Sequence, residues 1–270
     1  MRIRFIGIII ILGAVLISPR LLSSQYYFQL NGGYISTGIQ DAASSRNIFW
    51  FLRQIVDLSP VRWNIRGPEI AASFHMEGNT FHHHLVLEYY SAQNGHYQKV
   101  HTQVQRPEDS RLSLRARYRM DQYLLKNFLV SRLDFAFGPQ VFILWENTDR
   151  ILGGEDRMKF SGRYFAPSFL LTLRYRPLDE VDIKMRLSTG GILGWESIRH
   201  PRSGTRDNDF FVNGWRTSLD ISLLWYFTPR AGIQLGWSRF SRMEGGTFSS
   251  RLLEQSVWRA GIRCRIGETP

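Results

Sequence analysis

Three consecutive histidines, His82, His83 and His84, follow His75 across a short Glu77-Gly78-Asn79 segment and precede His101 in the next alternating stretch. In an extended strand every second side chain shares a face. His82 and His84 therefore stand on the face of Glu88, and a tight turn over 77–80 brings His75 beside His82. Three imidazoles on one face suit Zn²⁺ or Cu²⁺. Adjacent histidines in a polar interior need no metal, however, and strand spacing offers no fixed tetrahedral set. His75, His82 and His84 are thus metal candidates by proximity alone, and the expectation is no metal and no cofactor. Guanidinium groups form the larger chemical set. Arg115, Arg117 and Arg119 alternate with Leu114, Ala116 and Tyr118, so one strand carries a row of guanidiniums on one side and apolar groups on the other. Arg174, Arg176, Arg186, Arg216, Arg259, Arg263 and Arg265 fall in similar alternations, and Glu88, Asp134, Asp182 and Asp220 share their faces. Guanidinium pairs bidentately with carboxylate and phosphate, so a face with this excess attracts anions.

The elements that hold these residues are strands. The stretch from Trp215 to Phe240 shows the pattern best: Trp215, Thr217, Leu219, Ile221, Leu223, Trp225 and Phe227 alternate with Arg216, Ser218, Asp220, Ser222, Leu224 and Tyr226. Thr228, Pro229 and Arg230 make a short turn, after which Ala231, Ile233, Leu235 and Trp237 alternate with Gly232, Gln234, Gly236 and Ser238. Period two on both sides of a short turn predicts a β-hairpin. The apolar face begins and ends in aromatics, and about twelve residues tilted by roughly 45° rise about 28 Å, close to the ~25 Å apolar band of a membrane barrel. A soluble β-sandwich alternates in the same way, so the rest of the chain has to discriminate.

Composition and turn distribution do so. The chain has 270 residues, of which 43% are hydrophobic, and its mean hydropathy is −0.23. After the N-terminus no stretch approaches ~20 consecutive apolar residues, which excludes helical spans but not barrel strands. The N-terminus reads MRIRF, an apolar run from Ile6 to Ile17, then Ser18, Pro19 and the small residues Ser23 and Ser24, the pattern of a secretory signal peptide over 1–24. The single cysteine, Cys264, permits no intramolecular disulfide. The formal charge of +11 is carried almost wholly by arginine, since lysine occurs only at 99, 126, 159 and 184. An exported chain seldom meets nucleic acid, so no nucleic-acid partner is expected. The strands expected along the mature chain are 26–37, 62–76, 81–91, 97–105 across an Asn94-Gly95 turn, 111–119, 129–137, 140–146, 168–176, 181–188, the two arms of the 215–240 hairpin, and 255–266. A short amphipathic helix is expected at 45–57. With Gly138-Pro139 read as a turn the count is about twelve; with that pair read as a kink the even count falls to ten or needs 48–56 as a further strand. Turns at 138–139, 177–180 and 228–230 are short, whereas 39–60, 149–162, 198–212 and 244–254 are long.

The signal peptide, the aromatic-flanked alternating strands and the sorting of turns over 26–266 resemble a bacterial outer-membrane β-barrel protein of porin-like architecture. The resemblance covers nearly the whole mature chain, 25–270, and is to an architecture rather than to one family. It implies an all-β, closed antiparallel transmembrane barrel with short periplasmic turns and longer outer loops. Trp215, Trp225, Phe227, Trp237 and Trp258 would form the aromatic girdles, the arginines above would line the lumen, and membrane lipid and lipopolysaccharide would be the surroundings. The function expected is a channel with an Arg-rich lumen preferring small anionic solutes. Two alternatives are a non-conducting structural or adhesin-like barrel and an outer-membrane lipid hydrolase. The hydrolase would need a serine, a histidine and an orienting group together on the outer wall. His83 and Ser131 face outward but on strands that are not neighbours, and there is no G-x-S-x-G stretch, so no enzyme is expected. Protein recovered from the outer membrane should begin within a few residues of Gln25. N-terminal sequencing that finds Met1 intact in that fraction refutes the signal-peptide assignment.

Overall fold

The computed structural model describes residues 25–41, 63–97, 110–128, 132–151, 157–199, 210–245 and 250–266. Expectations for the signal peptide at 1–24, the helix at 45–57, most of the 97–105 strand and Ser131 lie outside the described residues. Ten strands close into one antiparallel barrel. They are β1 (Gln25–Asp41), β2 (Trp63–Glu77), β3 (Phe81–Tyr97), β4 (Ser110–Phe128), β5 (Leu133–Ile151), β6 (Arg157–Leu178), β7 (Val181–Arg199), β8 (Phe210–Thr228), β9 (Ala231–Gly245) and β10 (Ser250–Ile266). Each strand pairs with its sequence neighbours, and β1 closes on β10 from Tyr26↔Ile266 to Asp41↔Arg251. Closure leaves no sheet edge, the condition for a sheet to cross hydrocarbon.

The strand count is ten rather than about twelve, for two local reasons. Gly138 and Pro139 do not turn the chain: β5 pairs with β6 straight through them, Gly138↔Leu170 and Pro139↔Phe169. The β4–β5 ladder passes from Arg119↔Gln140 to Gln122↔Phe137 in one unshifted register. Gly138 packs against the Met120 carbonyl where no Cβ would fit, which explains glycine in the middle of a strand. Asn94-Gly95 is not a turn either. The register moves from Arg66↔Gln93 to Asn64↔His96, so two residues of β3 oppose one of β2, a β-bulge, and β3 runs on to Tyr97. Accordingly Glu88 lies opposite Ala71 and Arg115, whereas the expected Asn94-Gly95 turn would have set it opposite Lys99 or His101.

Four connections at one end of the barrel are short: residues 78–80, 129–132, Asp179-Glu180 and Pro229-Arg230. Side chains and backbone fix them locally. Thr228 Oγ1 accepts from the backbone N–H groups of Arg230 and Ala231 at 3.3 and 2.9 Å, and Asn127, with φ 55°, takes the left-handed conformation that asparagine tolerates. At the other end the strands run into the expected loops at 149–162, 198–212 and 244–254, most of all at 149–162, where β5 reaches Ile151 and β6 begins at Arg157. Strands of 15 to 22 residues exceed the 9–11 that a bilayer needs.

The distribution of side chains is inverted relative to a soluble domain. Leu30, Ile70, Leu87, Leu235 and Ile262 are among the exposed apolar residues, while Arg242, Gln140 and Asp121 are fully buried. An apolar exterior around a polar interior is stable only where the solvent outside is lipid. Trp225 and Phe227 stand outward at the short-turn end of β8 and Trp215 toward its other end. Trp237 and Trp258 face one another in register with ring centroids 6.2 Å apart. By register Trp237 lies opposite Ile221, between the two aromatic ends of β8. The apolar face should respond to charge by depth. Leu223→Arg, at mid-face opposite Leu235, should cost about 2–4 kcal/mol, and Phe227→Arg, at the edge, about 0–1 kcal/mol. Urea unfolding of the folded barrel in lipid measures both, and equal costs would contradict a membrane-facing wall.

Candidate functional site

The interior face is built from alternate residues of the ten strands, and side chains from opposite parts of the wall meet across the lumen. At the short-turn mouth, Gln25, Tyr27, Glu77, His82, Tyr123, Arg174 and Tyr226 line a cavity of about 290 Å³. Its inner wall is charged. Arg263 donates to Glu77 at 2.5 Å, and Lys184 lies 3.5 Å from Glu77 and 3.2 Å from Asp182. Arg174 grips Asp182 through two nitrogens at 3.0 and 2.7 Å. Arg263 also lies over the Tyr27 ring, 4.1 Å from its centroid. Arg176 pairs with Asp134 at 3.0 Å near the rim, and Arg265 is half-buried on the same interior face at that end.

Next along the axis is a chain of neutral and charged groups. Ser73 Oγ lies 2.8 Å from His75 Nε2, His75 Nδ1 lies 2.5 Å from His84 Nδ1, and His84 Nε2 lies 3.2 Å from Asp121. Thr172 donates to the other Asp121 oxygen at 2.7 Å, and Arg186 approaches Asp121 at 3.4 Å. A carboxylate accepts only, so His84 Nε2 carries hydrogen and His84 Nδ1 accepts from His75, whose Nε2 in turn accepts from Ser73. All four ring nitrogens of His75 and His84 are therefore engaged, and no lone pair is left to converge on a metal. His82 faces inward as well, its ring 4.5 Å from that of Tyr123. Among the described residues no cluster of three His, Cys, Asp or Glu has metal-site geometry. His83, on the outer wall, bonds the Tyr118 hydroxyl at 2.7 Å.

The middle of the lumen is a guanidinium–carboxylate network. Arg259 is bidentate to Glu69, with both contacts at 2.8 Å, and reaches Glu88 at 3.3 Å. Glu88 also receives Arg117, and Arg115 lies 3.9 Å away. Asp220 receives Arg119 and lies 3.6 Å from Arg117. Arg119 donates to Gln140 at 2.6 Å, and Gln140 donates to Ser188 at 3.0 Å. Beyond this network, toward the longer connections, the interior turns largely apolar. Ile35, Tyr90 and Val257 cluster on one side, and Phe142, Leu144, Tyr164, Ala166 and Ile192 on the other. Arg242 bonds Glu146 at 2.9 Å within this layer. Among the described residues Arg216 has no carboxylate within salt-bridge distance, and it lies between two rings, 3.8 Å from the Phe142 centroid and 4.7 Å from that of Phe240.

The arginines and acids singled out in the sequence all stand on this interior face. What alternation alone cannot supply is their partners. Glu69, Glu77, Asp121, Glu146, Lys184 and Arg242 were not among the candidates, and their four carboxylates and two cations lower the apparent excess only in part. Lys184 falls between Asp182 and Arg186 in the same alternation, and Asp121 extends the row of Arg115 to Arg119, so both could have been found by following each period to its end. The apolar layer had no such signal. Phe142 and Ile192 read as ordinary wall residues until the kink is resolved as continuous strand and the face is known.

No protein-family model matches the sequence, and no curated protein does. Solved structures with a similar fold include the outer membrane protease OmpT of Escherichia coli, at 8% identity, with 90% of this chain and 96% of that one covered and a TM-score of 0.49. The translocator domain of the autotransporter NalP from Neisseria meningitidis gives 8% identity, 88% of both chains and 0.48. The P. putida toluene transporter TodX gives 9% identity, 95% of this chain, 94% of that one, and 0.35. The chain itself folds as a closed antiparallel β-barrel of ten strands.

Stripping one member from a buried pair leaves a charge without compensation. Glu69→Gln alone should therefore destabilise the barrel by about 3–5 kcal/mol, whereas Glu69→Met combined with Arg259→Met should recover most of that loss. A double-mutant cycle in urea tests this, and additive losses would mean that the pair is not coupled.

Proposed function

We propose that this protein resides in the outer membrane, surrounded by lipid and lipopolysaccharide, as a barrel whose lumen is closed by its own side chains, and that it serves as a non-conducting scaffold for its longer connections at the cell surface. The observation that carries this reading is the filled cross-section: the mid-lumen network of Glu69, Glu88 and Asp220 with Arg115, Arg117, Arg119 and Arg259, capped by the apolar layer around Tyr90, Phe142 and Ile192. A conducting pore needs a continuous aqueous path past weakly held sites. Here the guanidiniums that would attract anions are turned toward carboxylates, and those carboxylates sit on other strands, so the pairs stitch the wall across the lumen. A solute entering the 290 Å³ mouth would meet charged pairs that must be separated before it could move further.

The channel reading keeps one feature in its favour, since positive charge still exceeds negative among the described interior residues. The hydrolase reading gains nothing from His83, whose partner is a tyrosine hydroxyl. Planar-bilayer recordings separate the first two. The unmodified protein should give no stepwise current. Removing the seal with Glu88→Ala, Asp220→Ala, Phe142→Ala and Phe240→Ala together should open an anion-preferring path, because Arg117, Arg119 and Arg216 then line it unpaired. Steady single-channel current from the unmodified protein would overturn the proposal and favour the anion channel.

A further inference from the structure

The recess at the short-turn mouth is lined unlike the rest of the interior. Its wall holds no leucine, isoleucine, valine or alanine, and the apolar surface it offers is the rings of Tyr27, Tyr123 and Tyr226, which come from β1, β4 and β8. Glu77 and His82 are partners across the β2–β3 ladder, and Gln25 of β1 lies opposite Glu77. The backbone N–H of Tyr123 donates to the Thr80 carbonyl at 2.9 Å, which ties the 78–80 turn to β4. That tie sets the Lys126 ammonium against the Asn79 carbonyl, at the edge of the recess.

Several polar groups on this wall lack a partner. Tyr123 and His82 are each 5% exposed, yet the Tyr123 hydroxyl and His82 Nδ1 have no hydrogen-bond partner. Buried polar atoms are ordinarily paired, so each unpaired one marks a place where a partner fits. Arg176 Nε is a further buried donor without an acceptor. On the acceptor side, Arg263 and Lys184 both reach Glu77 through Oε1, and Oε2 is left without a donor. Of the three cations on the wall, Arg174 and Arg176 hold Asp182 and Asp134. Lys126 is different: among the described residues it has no carboxylate within salt-bridge distance, and its contacts are the Asn79 carbonyl and the Tyr123 ring, 6.0 Å away.

These vacant positions define the chemistry of a ligand. Lys126 suits one anionic group. Glu77 is already shared by two cations and gains nothing from a third, so the donor matched to Oε2 is a neutral hydroxyl. The Tyr123 hydroxyl and Arg176 Nε call for acceptor oxygens. Tyrosine rings present a negative face to the C–H bonds of a saturated ring, while their hydroxyls meet the polar edge of that ring. Ligand pockets begin at about 300 Å³, so a recess of about 290 Å³ has room for a single sugar ring.

We infer that the short-turn mouth binds a sugar acid, a monosaccharide that carries one carboxylate. The carboxylate lies at Lys126, a ring hydroxyl donates to Glu77 Oε2, and the ring rests against the tyrosines. The site lies outside the mid-lumen network, so it stands whether or not the lumen conducts.

Titration calorimetry on the full mature chain in detergent micelles, at fixed pH and ionic strength, compares glucuronate with glucose and acetate. Glucuronate should bind saturably, one per barrel, with an affinity roughly tenfold or more above that of either reference. Lys126→Met, at an exposed position, should bring glucuronate down to the level of glucose. Tyr123→Phe keeps the ring and removes the hydroxyl. It should weaken glucuronate roughly fivefold or more and leave the urea midpoint of the free barrel unchanged or higher, because that hydroxyl has no partner within the protein. If either variant does not fold, the ranking of the three probes on the parent still decides the matter. Acetate bound as tightly as glucuronate would reduce the mouth to an unspecific anion site and overturn the inference. It is equally overturned by a parent that shows no saturable uptake of glucuronate, or by a folded Lys126→Met variant that still prefers glucuronate to glucose.

Discussion

Lipid offers the backbone no hydrogen-bond partner, and nearly every feature of this protein follows from that. Each N–H and C=O at membrane depth must find its partner in a neighbouring strand, so the sheet has to return to its starting edge. The β1–β10 ladder performs that return over sixteen residue pairs, long enough to carry the seam beyond the bilayer. Once the wall is closed, side-chain polarity has only two places to go. Apolar residues face hydrocarbon, and everything charged within the span is forced into a narrow interior where water is scarce. The guanidinium–carboxylate network is thus the accommodation that a ten-strand circumference imposes on an arginine-rich sequence.

Arginine suits this interior better than lysine would. Its fork binds a carboxylate with two parallel bonds, as Arg259 binds Glu69, and its flat face stacks on phenyl rings, as Arg216 does on Phe142. One side chain can therefore satisfy either environment, the ionic middle or the apolar layer above it. Lys184, the one described lysine in the lumen, sits instead where two carboxylates, Glu77 and Asp182, can share a compact ammonium.

Much of the fold is legible in the sequence because period two survives a change of solvent. The Trp215–Phe240 hairpin, the TPR turn and the inward row of Arg115, Arg117 and Arg119 are local patterns, and local patterns are visible in one dimension. The strand count is less legible because Gly138-Pro139 and Asn94-Gly95 carry strong turn chemistry that long-range pairing overrides. In one case a glycine admits a neighbouring carbonyl, and in the other a bulge absorbs the extra residue. The state of the lumen is least legible of all. Whether an inward arginine lines a path or blocks it depends on the acid opposite, and Glu69 lies 190 residues from Arg259.

That separation bears on how the barrel comes into being. The contacts that neutralise the interior join β2 and β3 to β10, and β4 to β8 through Arg119 and Asp220 across 101 residues. Glu88 with Arg117 and Asp182 with Arg174 pair within single hairpins, but Arg119 and Arg259 meet carboxylates only on remote strands, so a partly built sheet would carry bare guanidiniums and carboxylates against lipid. Local order can form early, but the ionic core can only consolidate when first and last strands meet, and contacts so remote in sequence are slow to find one another. The chain is thereby biased to cross the bilayer as a nearly complete cylinder, with its charges shielded from hydrocarbon at the moment of insertion.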